Sequence, residues 1–79
     1  MAQNEKHVKV VGALGMALVH GREVRVTYTT GAGVKSRRTV KPVTFEPAAN
    51  GANAIVFKVI EAGEWKSLRS DRCENVRQA

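Results

Sequence analysis

The sequence predicts a mainly β fold, in which an N-terminal α-helix is followed by five short, strongly bent antiparallel strands that form a small barrel. Apolar residues recur at three- and four-residue steps between His7 and His20, which is typical of a helix with one buried stripe. After Gly21 the period changes to two, which indicates strands. The 79 residues, 43% of them hydrophobic, can bury one thin core, and closure of the sheet would remove its exposed edges.

The helix is expected over residues 7–20, behind a flexible N-terminus of residues 1–6. Its buried stripe comprises Val10, Val11, Leu14, Ala17 and Leu18. Gly21 follows as a C-terminal cap, because glycine readily adopts the left-handed conformation that ends many helices. The alternation of Val8 and Val10 also fits the start of a strand, so helix and strand are both open for residues 7–12.

Five strands are expected after the helix, separated by turns that are rich in glycine, alanine and asparagine. In the first strand, Val24, Val26 and Tyr28 point to one side and polar residues to the other. The strands are predicted at residues 24–29, 34–45, 54–60, 65–70 and 73–77, with turns at 31–33, 47–53 and 62–63.

The second strand is long for a single strand, and its pattern changes in the middle. Its inward positions shift at Lys41-Pro42 and resume at Val43 and Phe45. A proline at such a shift predicts a bulge or a sharp bend, which a small barrel requires. Trp65, beside a turn, is expected in the core, with a base-stacking platform as the alternative.

Composition and charge exclude several classes of protein. No apolar run is long enough for a membrane span, and the N-terminus lacks the pattern of a signal peptide, so a cytoplasmic protein is expected. Cys73 is the only cysteine, which excludes a disulfide framework.

The net charge of +6 favours an anionic partner, above all nucleic acid, although such a charge also keeps a small protein soluble. Residues 1–40 carry seven basic and two acidic side chains (+5), and residues 41–79 carry six and five (+1).

Residues for catalysis or metal binding are scarce, and neither an enzyme, a metal site nor a cofactor is expected. His7 and His20 are the only histidines, thirteen residues apart, and are more typical of a surface than of a metal site. The segment from Gly31 to Ser36 resembles a phosphate-binding loop, but it lacks a glycine directly before Lys35 and a following helix. It therefore predicts a hairpin turn.

Basic side chains on the strands form the strongest candidate site. Lys35, Arg37 and Lys41 share one face of the second strand, and Arg38 lies at an inward position of the alternation. A half-buried arginine requires an anionic or carbonyl partner. That partner is either Asp71, in an internal ion pair, or the phosphate or carboxylate of a ligand held at the mouth of the barrel.

Three motifs in order resemble the WYL domain. They are GREVRVTY (residues 21–28), R-x-V-x-P (residues 38–42) and GEWKSLRSDR (residues 63–72), and the resemblance extends from about Ala13 to Val76. It implies an Sm-like five-stranded barrel behind a helix, and a ligand-sensing or nucleic-acid-binding role, usually within bacterial transcription regulators. The pocket positions of the family correspond to Tyr28, Arg38, Arg69 and Arg72. The namesake Trp-Tyr-Leu is replaced here by residues 55–57, Ile-Val-Phe.

The expected function is that of a non-catalytic, regulatory binding domain that recognises an anionic ligand, above all single-stranded nucleic acid or a nucleotide. Residues 7–79 would form one stand-alone domain of this kind. Its expected ligand-binding residues are Tyr28, Arg38, Arg69, Arg72, Lys35, Arg37 and Lys41. The alternative is a small protein–protein interaction module, of the kind that phages or mobile elements encode, that modulates a host protein. Self-association into a homo-oligomer is also expected, because the apolar helix lies beside a thin core.

Overall fold

The fold of the chain is mainly β, as predicted. A computed structural model describes residues 2–49 and 54–79, so the predicted turn at 47–53 lies partly outside the described residues. The elements are helix α1 (Ala2–His20), strands β1 (Val24–Thr29), β2 (Lys35–Pro47), β3 (Ile55–Glu61) and β4 (Glu64–Arg69), a 3₁₀ turn (Ser70–Arg72) and strand β5 (Cys73–Gln78).

The helix begins at Ala2, five residues before the predicted start, and residues 7–12 are helical rather than extended. Polar contacts stabilise the first turns of the helix: Lys6 binds Glu74, and His7 binds Ser70. The spacing of apolar residues carries no information about such contacts, so it did not predict these turns. The end of the helix is as predicted. Gly21 has a φ of 64°, its N–H donates to the carbonyl of Leu18 and the N–H of Arg22 donates to that of Ala17, which is the Schellman arrangement.

The five strands form one antiparallel sheet in the order β4-β3-β2-β1-β5. The predicted closure is not found: β4 pairs with β3 and β5 pairs with β1, and the sheet stays open between β4 and β5. The 3₁₀ turn connects these two edge strands, and Cys73 Sγ at the start of β5 donates to the carbonyl of Arg69 at the end of β4 at 3.3 Å. Helix α1 packs on β2, β5 and this turn, and thereby covers core residues that a closed barrel would enclose.

Strand β2 passes from one half of the sheet to the other. It pairs with β1 up to Val40 and with β3 from Lys41 onward, and its register shifts between Pro42 and Thr44. The predicted bulge is therefore confirmed, but the inward phase continues through Pro42, which is fully buried. The extra residue is Val43, which is 40% exposed, and the prediction that it points inward is wrong. Phe45 lies opposite the buried Phe57, with the two ring centres 5.9 Å apart, so it is on the inward face as predicted although it is 57% exposed.

The core lies between α1 and the concave side of the sheet. Its members are Val10, Leu14, Ala17, Val24, Val26, Val40, Phe57, Val59, Leu68 and Cys73. Trp65 is not among them: it is 63% exposed, which contradicts the predicted core position. Leu68 points inward, and Trp65, three positions away on β4, therefore points to the other face. In the described part of the chain, no helix is long and apolar enough to cross a membrane.

Candidate functional site

Arg38 lies half-buried on β2, opposite Val26 of β1. Its Nε donates to both carboxylate oxygens of Glu61 at 3.1 Å, and its Nη2 donates to the same carboxylate. The ionic partner is therefore Glu61 rather than the expected Asp71, because the β2–β3 register that pairs Lys41 with Ile60 brings Glu61 alongside this part of β2. The hydrogen bond to Glu61 raises the pKa of Arg38 and lowers the pKa of Glu61.

Tyr28 lies beside Arg38, as the resemblance implies. The guanidinium carbon of Arg38 is 5.2 Å from the centre of the Tyr28 ring, which is within the range of a cation–π contact. Tyr28 is half-buried and packs against the core, and it pairs with Cys73 across the β1–β5 ladder. Burial raises the pKa of the Cys73 thiol to about 11, so this thiol is neutral at pH 7.

Arg69 and Asp71 form a second ion pair, at the start of the 3₁₀ turn. Nε of Arg69 donates to Oδ1 of Asp71 at 3.0 Å, and Nη2 donates to Oδ2 at 2.9 Å. This two-point geometry is the strongest that an arginine forms with a carboxylate. It lowers the pKa of Asp71 and raises the pKa of Arg69. Both side chains are more than a third exposed, so the pair is accessible to an incoming ligand.

A cleft of about 560 Å³ lies between the start of α1, the end of β1 and the 3₁₀ turn. We call it the Arg72 cleft; its lining residues are Lys6, His7, Val10, Thr29, Thr30, Ser70, Asp71, Arg72, Cys73 and Glu74. The guanidinium of Arg72 lies against the β1–β2 turn, where a Cβ added at Gly31 would be 3.7 Å from Nη2. The predicted residue Arg72 therefore has a concave surface beside it.

The carboxylates of the Arg72 cleft are already paired. Glu74 binds Lys35 at 3.2 Å and Lys6 at 3.3 Å, contacts that lower its pKa, and Asp71 is held by Arg69. Within residues 5–49 and 54–79, Arg72 forms no ion pair. Arg72 is thus a cation of the cleft that forms no ion pair with a carboxylate of the described residues.

The seven predicted site residues do not all meet at one place. Tyr28 and Arg38 are in contact, whereas Arg69 lies at the end of β4, where it binds Asp71 at the Arg72 cleft. Lys35 reaches the edge of the Arg72 cleft through Glu74. Lys41 is six residues from Lys35 along an extended strand, about 20 Å away, and belongs to the half of β2 that pairs with β3.

Of the predicted ligand-binding residues, Arg37 lies on a different face of the sheet from Arg38. It is exposed on the opposite face from Arg38 and lines a separate groove together with Arg25 and Arg77. The sequence predicts the alternation of Arg37 and Arg38 correctly. Which basic residues from other strands accompany each of them depends on the strand register, which the alternation alone does not determine.

A buried polar junction that the sequence does not predict lies beside the cleft, at Ser70. The hydroxyl of Ser70, 1% exposed, accepts a hydrogen bond from the N–H of Ile55 at 2.9 Å and lies 2.7 Å from Nε2 of His7. It thereby joins α1, β3 and the 3₁₀ turn. No local pattern points to this junction, because His7 and Ser70 are 63 positions apart. No group of three metal-ligating side chains is found among the described residues.

Comparison with known proteins identifies a similar fold. No protein-family model matches the chain, and no curated protein matches its sequence. Among solved structures, the chain is similar to part of proteasome accessory factor B/C (PafBC) of Arthrobacter aurescens, which contains a WYL domain, with a TM-score of 0.77 and 19% identity. The similarity covers 91% of this chain and 11% of PafBC. It supports a WYL-like fold, in agreement with the motifs around Tyr28, Arg38 and Arg72.

Proposed function

We propose that this chain is a non-catalytic, regulatory binding domain that holds the phosphate of single-stranded nucleic acid or of a nucleotide in the Arg72 cleft. The observation that carries the proposal is the position of Arg72 in a cleft of about 560 Å³ whose two carboxylates are already paired. A guanidinium without a carboxylate partner, in a concave site, favours a bound anion.

The ion pairs around the cleft support the same ligand. Arg69 neutralises Asp71, and Lys35 and Lys6 neutralise Glu74, so that neither carboxylate repels an anion at full strength. The regulatory part of the proposal rests on the resemblance to WYL domains and on the fold similarity to a part of PafBC.

Fluorescence anisotropy with labelled single-stranded oligonucleotides over a salt series tests the proposal. The slope of log K against log salt should be about −0.7 for each phosphate neutralised. Arg72→Ala should weaken binding about tenfold or more, because a charge-assisted hydrogen bond contributes about 1.5–3 kcal/mol. The matched control is Arg22→Ala, which removes the same charge from an exposed site outside the cleft.

Arg69→Ala provides a second, independent test. It leaves the carboxylate of Asp71 unpaired at the cleft, where it would repel an incoming phosphate. The double variant Arg69→Ala with Asp71→Ala should therefore recover much of the binding that Arg69→Ala loses. Absence of binding at low salt, or equal losses for Arg72→Ala and Arg22→Ala, would contradict the proposal. Competition with a free nucleotide distinguishes the two sources of phosphate.

A second candidate function, a protein-interaction module, is favoured by the outer face of α1. Val8, Met16 and Val19 are 66%, 59% and 74% exposed. Their spacing places them on one face of the helix, together with Gly12 and Gly15, whose surroundings are open. The buried positions Val10, Leu14 and Ala17 lie on the opposite face.

The variant Met16→Glu separates this second candidate from the first. If the outer face binds a second copy, light scattering should show a dimer that Met16→Glu dissociates, with oligonucleotide binding unchanged. If it binds a host protein instead, that partner should be retained on immobilised chain after nuclease treatment and lost with Met16→Glu. A strict monomer that retains no partner would contradict this second function.

A further inference from the structure

Three arginines line a groove on the exposed face of β1, β2 and β5, away from the Arg72 cleft. We call it the Arg25 groove; its volume is about 260 Å³, and Arg25, Arg37 and Arg77 line it together with Val26, Thr27 and Asn75. Arg25 lies directly opposite Arg77 in the β1–β5 ladder, and Arg37 lies opposite Thr27 in the β1–β2 ladder. The groove and the cleft share no lining residue.

The charges of the Arg25 groove are not balanced within the described residues. Like charges directly opposite each other destabilise a pair of strands. None of the three arginines takes part in an ion pair found in residues 5–49 and 54–79. Glu74, which lies opposite Thr27, is already bound by Lys35 and Lys6.

A bulge in β5 creates this juxtaposition. The β1–β5 register shifts between Arg25 and Thr27, and Asn75 adopts a φ of 53° at the irregularity. With regular pairing from Tyr28 opposite Cys73, Arg25 would face Val76. The extra residue instead lets Val76 pack against the core and turns Arg77 outward, opposite Arg25. Bulges re-aim side chains in this way near functional surfaces.

We propose that the Arg25 groove binds consecutive phosphates of a nucleic-acid backbone, independently of sequence and strandedness. Planar guanidinium groups match phosphate oxygens at two points, and three of them on adjacent strands are neutralised best by a ligand that carries several phosphates. None of the groove's described lining residues is aromatic, so bases have no surface on which to stack. The contact would therefore be with the backbone alone, in a second anionic site beyond that of the proposed function.

The test uses the full chain and a labelled DNA duplex of mixed sequence, measured by anisotropy across a salt series. The double variant Arg25→Ala with Arg77→Ala should bind at least tenfold more weakly at low salt. Its salt slope should be shallower by about 1.8, since each phosphate contact contributes about 0.9 for duplex DNA. The control variant, Arg22→Ala with Lys66→Ala, has the same net charge and alters exposed residues outside the groove.

The outcomes are distinct from those for the Arg72 cleft. Duplex binding should fall further in the Arg25→Ala and Arg77→Ala double variant than in Arg72→Ala, and the double variant should retain its circular dichroism spectrum and a melting temperature no lower than that of the native chain. An equal loss in the control variant would overturn the proposal, because it would show a response to net charge alone. A wild-type chain that binds tripolyphosphate at this groove but no duplex would also overturn it. Loss of single-strand binding through Arg72 alone would support the proposed function and reject the groove.

Discussion

The guanidinium of Arg38 and the carboxylate of Glu61 form a half-buried ion pair that joins β2 to β3. Their side chains are 19% and 24% exposed, and Nε of Arg38 is 3.1 Å from each carboxylate oxygen. The same guanidinium contacts the ring of Tyr28. Arg38 is therefore held between an acid and an aromatic ring, and its first role is to fix the junction of the two halves of the sheet.

A double-mutant cycle should detect this coupling. Arg38→Ala leaves Glu61 as a half-buried charge without its partner, and should lower the free energy of unfolding by about 1–3 kcal/mol. Glu61→Ala should have a similar effect, and the double variant should cost less than the sum of the two. Urea denaturation measures each value. Strictly additive losses would show that the two side chains do not stabilise each other in solution.

Acid should destabilise the protein through its carboxylates. The pKa of Glu61 is lowered by its hydrogen bond to Arg38, and the pKa of Asp71 is lowered by its hydrogen bond to Arg69. Both groups therefore bind protons more weakly in the folded chain than in the unfolded chain. Their contribution is complete above the unfolded pKa, about 4.5 for Glu61, and is lost as the pH falls through the lower folded values.

The measurement is urea denaturation between neutral pH and about pH 2, on the native chain and on Glu61→Gln. The variant should be less stable than the native chain at neutral pH, and the two curves should approach each other as the pH falls below about 4.5, because Glu61 no longer contributes once it is protonated. Parallel curves over the whole range would exclude Glu61 as a source of the pH dependence.

Local patterns predicted the elements well, because the forces that form them act over a few residues. The two-residue alternation of Val24, Val26 and Tyr28 predicts β1 at its observed bounds. Gly21 ends the helix where glycine's left-handed conformation is required. Trp65 shows the opposite case, since its aromatic character suggested burial although alternation from Leu68 places it on the exposed face.

The sites depended on strand register, which the alternation does not determine. Arg38 finds Glu61 because the β2 register shifts after Pro42, and Arg77 faces Arg25 because β5 bulges at Asn75. Each shift is one residue long and exchanges the face on which a side chain lies. The sequence therefore predicted correctly which strands carry the arginines, but it did not predict which residues lie opposite them or bind them.

Replacement of Ser70 by alanine should destabilise the fold beside the cleft. The variant leaves the N–H of Ile55 without its acceptor in a buried position and removes the contact with His7. An unsatisfied buried donor costs about 1–3 kcal/mol, and the melting temperature should fall accordingly. The control is Ser67→Ala on β4, whose exposed hydroxyl accepts from Lys58, and which should change the stability by less than about 0.5 kcal/mol.

The hairpin between β3 and β4 contains a residue whose replacement should stabilise the protein. Ala62 and Gly63 form a two-residue turn in which both have positive φ, 52° and 79°. An alanine in this conformation is strained, whereas asparagine tolerates it and asparagine–glycine is the preferred pair for such a turn. Ala62→Asn should therefore raise the free energy of unfolding by about 0.5–1 kcal/mol.

The companion variant Gly63→Ala tests the same cause, the positive φ angles of the turn, and should lower the stability rather than raise it. A Cβ at Gly63 would meet no atom within 4 Å, so any loss of stability must come from the backbone conformation rather than from a clash. The expected loss is about 1–2 kcal/mol in urea denaturation. If Ala62→Asn and Gly63→Ala changed the free energy of unfolding in the same direction, the positive φ angles of this turn would not explain either change.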